Sequence, residues 1–190
     1  KAAAAAGFNL QVVSAWRSFD RQLSIWNRKA RGELPLYDEA GLLLQTADLS
    51  PEKLLQKILL WSALPGTSRH HWGTDIDVYD AAAVPANYDV QLSLDEISDN
   101  GPFGALHRWL DHCIAHDQSF GFFRPYIQGR GAVQPERWHL SHRPTAQQFQ
   151  RLFDPEALKS LLLASSIELK EVILDQLPDI LQSRVFAYWE

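Results

Sequence analysis

The sequence lacks the features that mark several large classes of protein. Its single cysteine, Cys113, excludes an intramolecular disulfide and a structural zinc site built on several cysteines. No apolar run approaches the roughly twenty residues that a transmembrane helix needs. The opening residues, KAAAAAG, are too short and too weakly apolar for a signal peptide. They are typical of a helix that ends at Gly7, so we expect that the natural start of the chain is missing.

An excess of positive charge is also lacking. The 190 residues carry 18 Lys and Arg against 23 Asp and Glu, giving a net charge of −5, and the two signs are intermingled. This balance argues against a nucleic-acid partner and against attraction to anionic lipid. What the sequence has is apolar material, 46% of residues with seven Trp and nine Phe, which is ample for a packed core.

The apolar pattern predicts an α+β fold, a small antiparallel sheet flanked by helices. Period-two alternation in Asp75–Tyr79 indicates a strand with one apolar face, and FGFFRPYI and ERWHLS flank QGRG as a plausible hairpin. Helical spacing predicts helices over 15–30, 50–62 and 102–117. From Pro144 onward the pattern is again helical, so we expect a domain over residues 1–143 and a helical C-terminal extension over residues 144–190. The tryptophans expected in the core are Trp16, Trp26, Trp61 and Trp109.

The stretch SRHHWGTDID, residues 68–77, combines possible metal ligands with a turn and a strand. His70 and Asp77 lie seven residues apart, so that both side chains can reach one point. His139 lies in the later segment PERWH, between two residues expected in the core. Two histidines and one aspartate form an N,N,O set with a fourth position open, which is the pattern of catalytic rather than structural zinc.

Glu136 lies three residues before His139 and is a candidate general base. A carboxylate at this position can take a proton from a zinc-bound water without itself binding the metal. On a regular strand the two side chains would point to opposite faces. The hypothesis therefore requires a bend near Pro135 or a helical turn.

Three segments together resemble the zinc D-alanyl-D-alanine carboxypeptidases and dipeptidases of the VanY type. SAWRSFDRQ, SRHHWGTDID and ERWH are similar to that family's motifs and occur in its order, which is far more specific than any one of them alone. The resemblance implies Zn²⁺ held by His70, Asp77 and His139 in a Hedgehog/DD-peptidase-like fold. It further implies Glu136 as catalytic base and Arg17 as the group that stabilises the oxyanion. Residues expected to contact the substrate are Ser68, Gln22 and, beside the motif, Trp138.

The implied substrate is a peptidoglycan stem peptide, which places the protein in the periplasm or at the cell surface. The same zinc chemistry also serves L,D-carboxypeptidases, D-Ala-D-Ala dipeptidases and endolysin-like endopeptidases. A zinc-containing peptidoglycan-binding module is the alternative that is not an enzyme, although it has no need for Glu136 and Arg17. Asp75 replaces the family's alanine, and we expect it to support the site or lie at the surface rather than bind metal. The sequence indicates neither the oligomeric state nor the role of residues 28–66.

Overall fold

A four-stranded antiparallel sheet forms the centre of the fold, as the computed structural model shows for residues 1–189. The strand order is β1-β2-β4-β3. The strands span Leu10–Ser14 (β1), Asp75–Asp80 (β2), Phe122–Phe123 (β3) and His139–His142 (β4). The predicted class, α+β with a small antiparallel sheet, is therefore confirmed.

The register of β2 and β4 brings the segments SRHHWGTDID and ERWH together. In the antiparallel pairing of β2 with β4, Asp77 lies opposite His139 and Asp75 lies opposite Ser141. Directly opposed residues have their side chains on the same face of the sheet, about 5 Å apart. Residues separated by more than sixty positions in sequence thus become neighbours.

Nine α-helices surround the sheet within residues 1–189. α2 begins later than the predicted residue 15, because Ser18 is its N-cap and accepts a hydrogen bond from the Arg21 N–H. Trp16 consequently lies outside the helix and is 67% exposed, so its predicted place in the core is wrong. The helices are α1 Ala2–Ala5, α2 Phe19–Ala30, α3 Pro51–Ile58, α4 Leu94–Ile97, α5 Gly104–Ala115, α6 Arg143–Leu152, α7 Pro155–Ala164, α8 Lys170–Asp175 and α9 Leu177–Arg184.

The predicted hairpin around QGRG is wrong in its extent. Phe122 does pair with His142, but β3 ends after Phe123 and residues 124–138 contain no strand. The reason lies in the partners of this loop: the Ala132 N–H donates to Ser183 O and the Val133 N–H to the Tyr188 hydroxyl. The backbone of the loop is therefore held by the C-terminal helices instead of by a partner strand.

Two hydrophobic clusters stabilise the fold. The smaller lies between the sheet and α5 and contains Val78, Leu106, Leu110 and Leu140. The larger joins α2 and α3 to the helices that follow residue 144, with Trp26, Leu55, Leu162 and Ile180 among its buried members. The C-terminal helices therefore share one core with the N-terminal helices. Within residues 1–189, no helix has the length and apolar character needed to cross a membrane.

Candidate metal centre

His70, Asp77 and His139 converge on a single point. His70 lies in a short 3₁₀ turn, Arg69–Trp72, while Asp77 and His139 face each other across β2 and β4. All three side chains are buried, and one ligand atom of each lies within 4.8 Å of the others. Two imidazoles and one carboxylate thus surround a point at which they could bind a single divalent ion.

The ring of His70 is fixed by a backbone carbonyl. Its Nδ1 lies 2.7 Å from Ala15 O, and because a carbonyl oxygen only accepts, Nδ1 must carry the proton. The other nitrogen, Nε2, lies 3.2 Å from Asp77 Oδ2. In the neutral ring that nitrogen carries the free lone pair, which is the form that binds metal.

The ring of His139 is held from behind by Asp75. Nε2 lies 2.9 Å from Asp75 Oδ1, and Nδ1 lies 3.1 Å from Asp77 Oδ1. Asp75 is fully buried and also accepts from Arg69 Nε at 2.9 Å, while Arg69 donates to Ser141 Oγ at 2.6 Å. Asp75 therefore lies on the side of the His139 ring that faces away from Asp77, and it orients this ring.

The donor set fits zinc. Nitrogen from two imidazoles and oxygen from one carboxylate are ligands that Zn²⁺ accepts in catalytic sites. Asp77 Oδ1 is buried and, although His139 Nδ1 lies 3.1 Å away, it is one of few buried polar atoms among the described side chains without a well-aligned hydrogen bond. Leaving a buried carboxylate oxygen unsatisfied is costly, and a cation at this point removes the cost.

The charge balance of the cluster agrees with this fit. Burial alone raises the pKa of Asp77, but the adjacent rings of His139 and His70 outweigh it and hold the pKa well below the usual range. Burial alone lowers the pKa of His139, yet its bonds to Asp75 and Asp77 raise that pKa strongly. Two adjacent carboxylates thus attract positive charge to the ring, and metal binding at such a site displaces a proton.

Glu136 lies beside the cluster, on a turn that the sequence had required. The His139 N–H donates to Glu136 O at 3.1 Å, which closes a turn ahead of β4. The turn brings Glu136 Oε2 to 3.7 Å from His139 Nδ1. Burial raises the pKa of Glu136 to about 7, with the charge of His139 opposing the shift. A carboxyl group of this kind exchanges a proton near neutral pH.

Arg17 is bonded to His70 and His71 through its backbone, and its side chain lines the same cavity. Its N–H donates to His70 O at 3.1 Å, and its carbonyl accepts from His71 Nδ1 at 2.6 Å. Its guanidinium donates to Gln22 Oε1 at 2.9 Å and to Ser14 Oγ at 3.0 Å. These contacts leave the cation facing the cavity that contains Asp77 and Glu136.

A cavity of about 280 Å³ opens over the cluster. Ser68 and Gln22 are both buried in its wall, and Trp138 stacks against Trp61 with ring centroids 6.3 Å apart. The structure therefore places every site residue predicted from the sequence around one cavity, namely Arg17, Gln22, Ser68, His70, Asp77, Glu136, Trp138 and His139.

Sequence reasoning missed other residues of this cavity. Tyr126 places its ring 4.9 Å from that of His139, and Arg184 reaches the cavity from α9. Lys29 also lines it and donates to Ser62 Oγ at 2.6 Å. Lys29 had a detectable signal, because it lies seven residues after Gln22 and hence on the same face of α2. Arg184 had none, since its position depends on how distant helices dock.

Comparison with known proteins agrees with the geometry. Residues 1–145 match the family model described as VanY, D-alanyl-D-alanine carboxypeptidase. An uncharacterized protein of Haemophilus influenzae is 30% identical over 119 residues, which cover 62% of this chain and 88% of that protein.

Solved structures are similar at the level of the fold. The structure of VanYB in complex with D-alanine-D-alanine aligns with a TM-score of 0.50 and 20% identity, covering 87% of this chain and 76% of that one. A mutant of the vancomycin resistance D,D-pentapeptidase VanY in complex with Zn(II) aligns with a TM-score of 0.48 and 20% identity. The alignment covers 90% of this chain and 75% of that one.

Proposed function

Because the chain belongs to the VanY D-alanyl-D-alanine carboxypeptidase family, we propose that it is a zinc-dependent carboxypeptidase. It removes the terminal D-alanine from peptidoglycan stem peptides. The observation that carries this proposal is the convergence of His70, Asp77 and His139 in a cavity that also contains Glu136. The D-alanine-D-alanine bound by the similar VanYB structure supports the choice of substrate.

In this proposal His70, Asp77 and His139 hold the zinc ion through the three atoms that face their common point. When bound, the ion supplies a Lewis acid that polarises the scissile carbonyl and lowers the pKa of water at the site. Ala15 and Asp75 keep the two imidazoles in the required orientation. The protein thereby spends little free energy on rearrangement when the ion binds.

Glu136 moves the proton. It takes a proton from the attacking water and then passes this proton to the departing amine of D-alanine. Its partial burial supports this role, because a pKa near 7 allows both the acceptance and the release of a proton at neutral pH.

Arg17 stabilises the charge that develops on the carbonyl oxygen. A cation held in place before the reaction does not have to be reoriented during it, and single donors of this kind contribute about 10²–10³ in rate. The bonds from Arg17 to Gln22 and Ser14 provide this preorganisation. Ser68, Gln22 and Trp138 form the wall that seats the peptide.

A substrate of this kind belongs to the cell wall, so the proposal places the protein outside the cytoplasmic membrane. Peptides ending in one or two D-alanines separate the related activities. A D,D-carboxypeptidase releases D-alanine from a pentapeptide, an L,D-carboxypeptidase releases it from a tetrapeptide, and a dipeptidase cleaves free D-Ala-D-Ala. An endopeptidase cleaves internal bonds, and a binding module releases nothing.

The test is release of free D-alanine from a pentapeptide and a tetrapeptide, with and without a chelator. We expect release from the pentapeptide that chelator abolishes and added zinc restores. Glu136→Gln should retain its zinc and lose about 10²–10⁴-fold in kcat. Release that persists at full rate in excess chelator, or in Glu136→Gln, would contradict the proposal.

A further inference from the structure

Lys29 brings a second cation to the wall of the cavity. It lies two helical turns after Gln22 on α2, and both residues line the cavity. Its ammonium donates to Ser62 Oγ at 2.6 Å, and Ser62 is also part of the wall. The half-buried Lys29 side chain therefore places its charge inside the cavity and not in bulk solvent.

The Lys29 ammonium has no carboxylate partner in the described part of the chain, where its hydrogen bond goes to a neutral hydroxyl. An ammonium offers three N–H donors, so two remain for a ligand. Burial lowers the pKa of Lys29 to about 8, although the charge of Glu136 opposes this. A partly desolvated ammonium without a counter-ion gains more from an incoming anion than a solvated one does.

The other two cations of the cavity are already engaged. The Arg184 guanidinium donates to the backbone oxygens of Leu59 and Ala132 and so holds the protein itself together. Arg17 is bonded to Gln22 and Ser14, and in the proposed function it faces the oxygen that gains charge. Among these three cations, Lys29 is the one left for another anionic group of the substrate.

A carboxypeptidase substrate has such a group, since the bond that breaks lies next to a free C-terminal carboxylate. We propose, on the basis of the proposed function, that the Lys29 ammonium binds the free C-terminal carboxylate of the peptide. Lys29 then determines specificity: it favours peptides that end in a free acid over amides and over longer chains in which this carboxylate is absent. It is a binding residue and takes no part in proton transfer.

The test compares two peptides ending in D-alanyl-D-alanine, one as the free acid and one as the C-terminal amide. Binding is measured by calorimetry to the zinc-loaded Glu136→Gln variant, in which turnover does not interfere. We expect the acid to bind more tightly than the amide. Adding Lys29→Met should weaken binding of the acid about 10- to 100-fold and change that of the amide less than about threefold.

Two further variants separate charge from packing. Lys29→Arg keeps the charge and should retain most of the preference for the acid. Lys53→Met removes an exposed lysine from α3 and should change neither affinity. In the background with intact Glu136, Lys29→Met should raise KM for the acid and leave kcat nearly unchanged.

Three results would count against the assignment. If Lys29→Met weakens both peptides equally, the lysine contacts another part of the peptide or supports the fold, and its assignment to the terminal carboxylate is wrong. If it weakens neither, Lys29 does not contact the substrate. If neither peptide binds when Lys29 is intact, the proposed function itself fails and the assignment falls with it.

Discussion

At the residue scale, the central feature is that one ring nitrogen of both His70 and His139 is hydrogen-bonded to a group outside the cluster. Ala15 O accepts from His70 Nδ1, and Asp75 Oδ1 accepts from His139 Nε2. The nitrogens that remain are those nearest Asp77. A different group thus orients each ring, and the nitrogen that faces Asp77 is the one left for an ion.

Asp75→Asn tests the support of His139. The substitution keeps the shape but removes the negative charge that makes the imidazole a stronger ligand and neutralises Arg69. We expect zinc affinity to fall about 10- to 100-fold, measured by competition with a chromogenic chelator. Asp80→Asn in the same strand is the matched control, because Asp80 bonds backbone N–H groups and not His139. Equal zinc affinities for the two variants would remove Asp75 from the metal centre.

The sequence made the convergence of His70, Asp77 and His139 predictable at this scale, because they lie in segments with recognisable order and spacing. It also led to the expectation that Asp75 does not bind the metal, but it left open whether this residue supports the site or lies at the surface. The role of Ala15 was not predictable, since a backbone carbonyl carries no identity in the sequence. Its approach to His70 depends on where the chain leaves β1.

At the scale of elements, the loop that carries Glu136 is held by the C-terminal helices. The Val133 N–H donates to the Tyr188 hydroxyl at 2.7 Å, and the Ala132 N–H donates to Ser183 O at 3.0 Å. The ring of Tyr188 also packs on that of Tyr126, with centroids 4.9 Å apart. Residues beyond the segment that matches the family thus help to hold the loop that leads to the proposed base.

Tyr188→Phe tests this coupling. The variant loses the acceptor for the Val133 N–H, and we expect the free energy of unfolding to fall by about 1 kcal/mol. Because the loop leads directly to Glu136, kcat should fall severalfold while zinc content stays at the wild-type level. Tyr79→Phe is the control, since within residues 1–189 the Tyr79 hydroxyl makes no hydrogen bond. A Tyr188→Phe variant with normal kcat would show that the helices do not position Glu136.

Most elements followed from the sequence, and the exceptions have identifiable causes. Helical spacing located α2, but the capping hydroxyl of Ser18 sets its start and leaves Trp16 exposed. The glycines of QGRG suggested a hairpin turn. The loop around them instead bonds to Ser183 and Tyr188, and contacts over such distances are invisible to local patterns.

At the scale of the whole molecule, the proposed boundary after residue 143 is tested by truncation. Leu158, Leu162 and Ile173 are buried in the same cluster as Trp26 and Leu55. Removing residues 144–190 exposes that apolar surface, so we expect the shortened chain to lose its cooperative unfolding transition and to aggregate. A shortened chain that unfolds cooperatively and binds zinc would show that residues 1–143 fold independently.

Stability should fall in acid because of His107. This residue is fully buried, and burial, then Arg124 and Arg137, lowers its pKa to about 3 while Asp111 opposes the shift. Between that value and the ordinary value near 6.5, the unfolded chain binds a proton that the folded chain does not. The stabilising effect of a neutral His107 is therefore complete above about pH 6.5 and is lost as the pH falls towards 3.

The measurement is chemical denaturation of metal-free protein at pH 7.5, 5.5 and 4.5, in parallel with His107→Gln. Well below pH 6.5, the wild type should lose about 1.4 kcal/mol per pH unit relative to the variant, which has no proton to gain at this position. Parallel stability curves for the two proteins would show that His107 does not cause the loss of stability in acid.

The most direct test of the account is anomalous diffraction at the zinc edge from crystals of the zinc-loaded protein. We expect one strong peak within coordination distance of His70 Nε2, His139 Nδ1 and an oxygen of Asp77, with Glu136 near the ion but not bound to it. A peak held by other residues, or no peak among these three side chains in protein that contains zinc, would contradict the account.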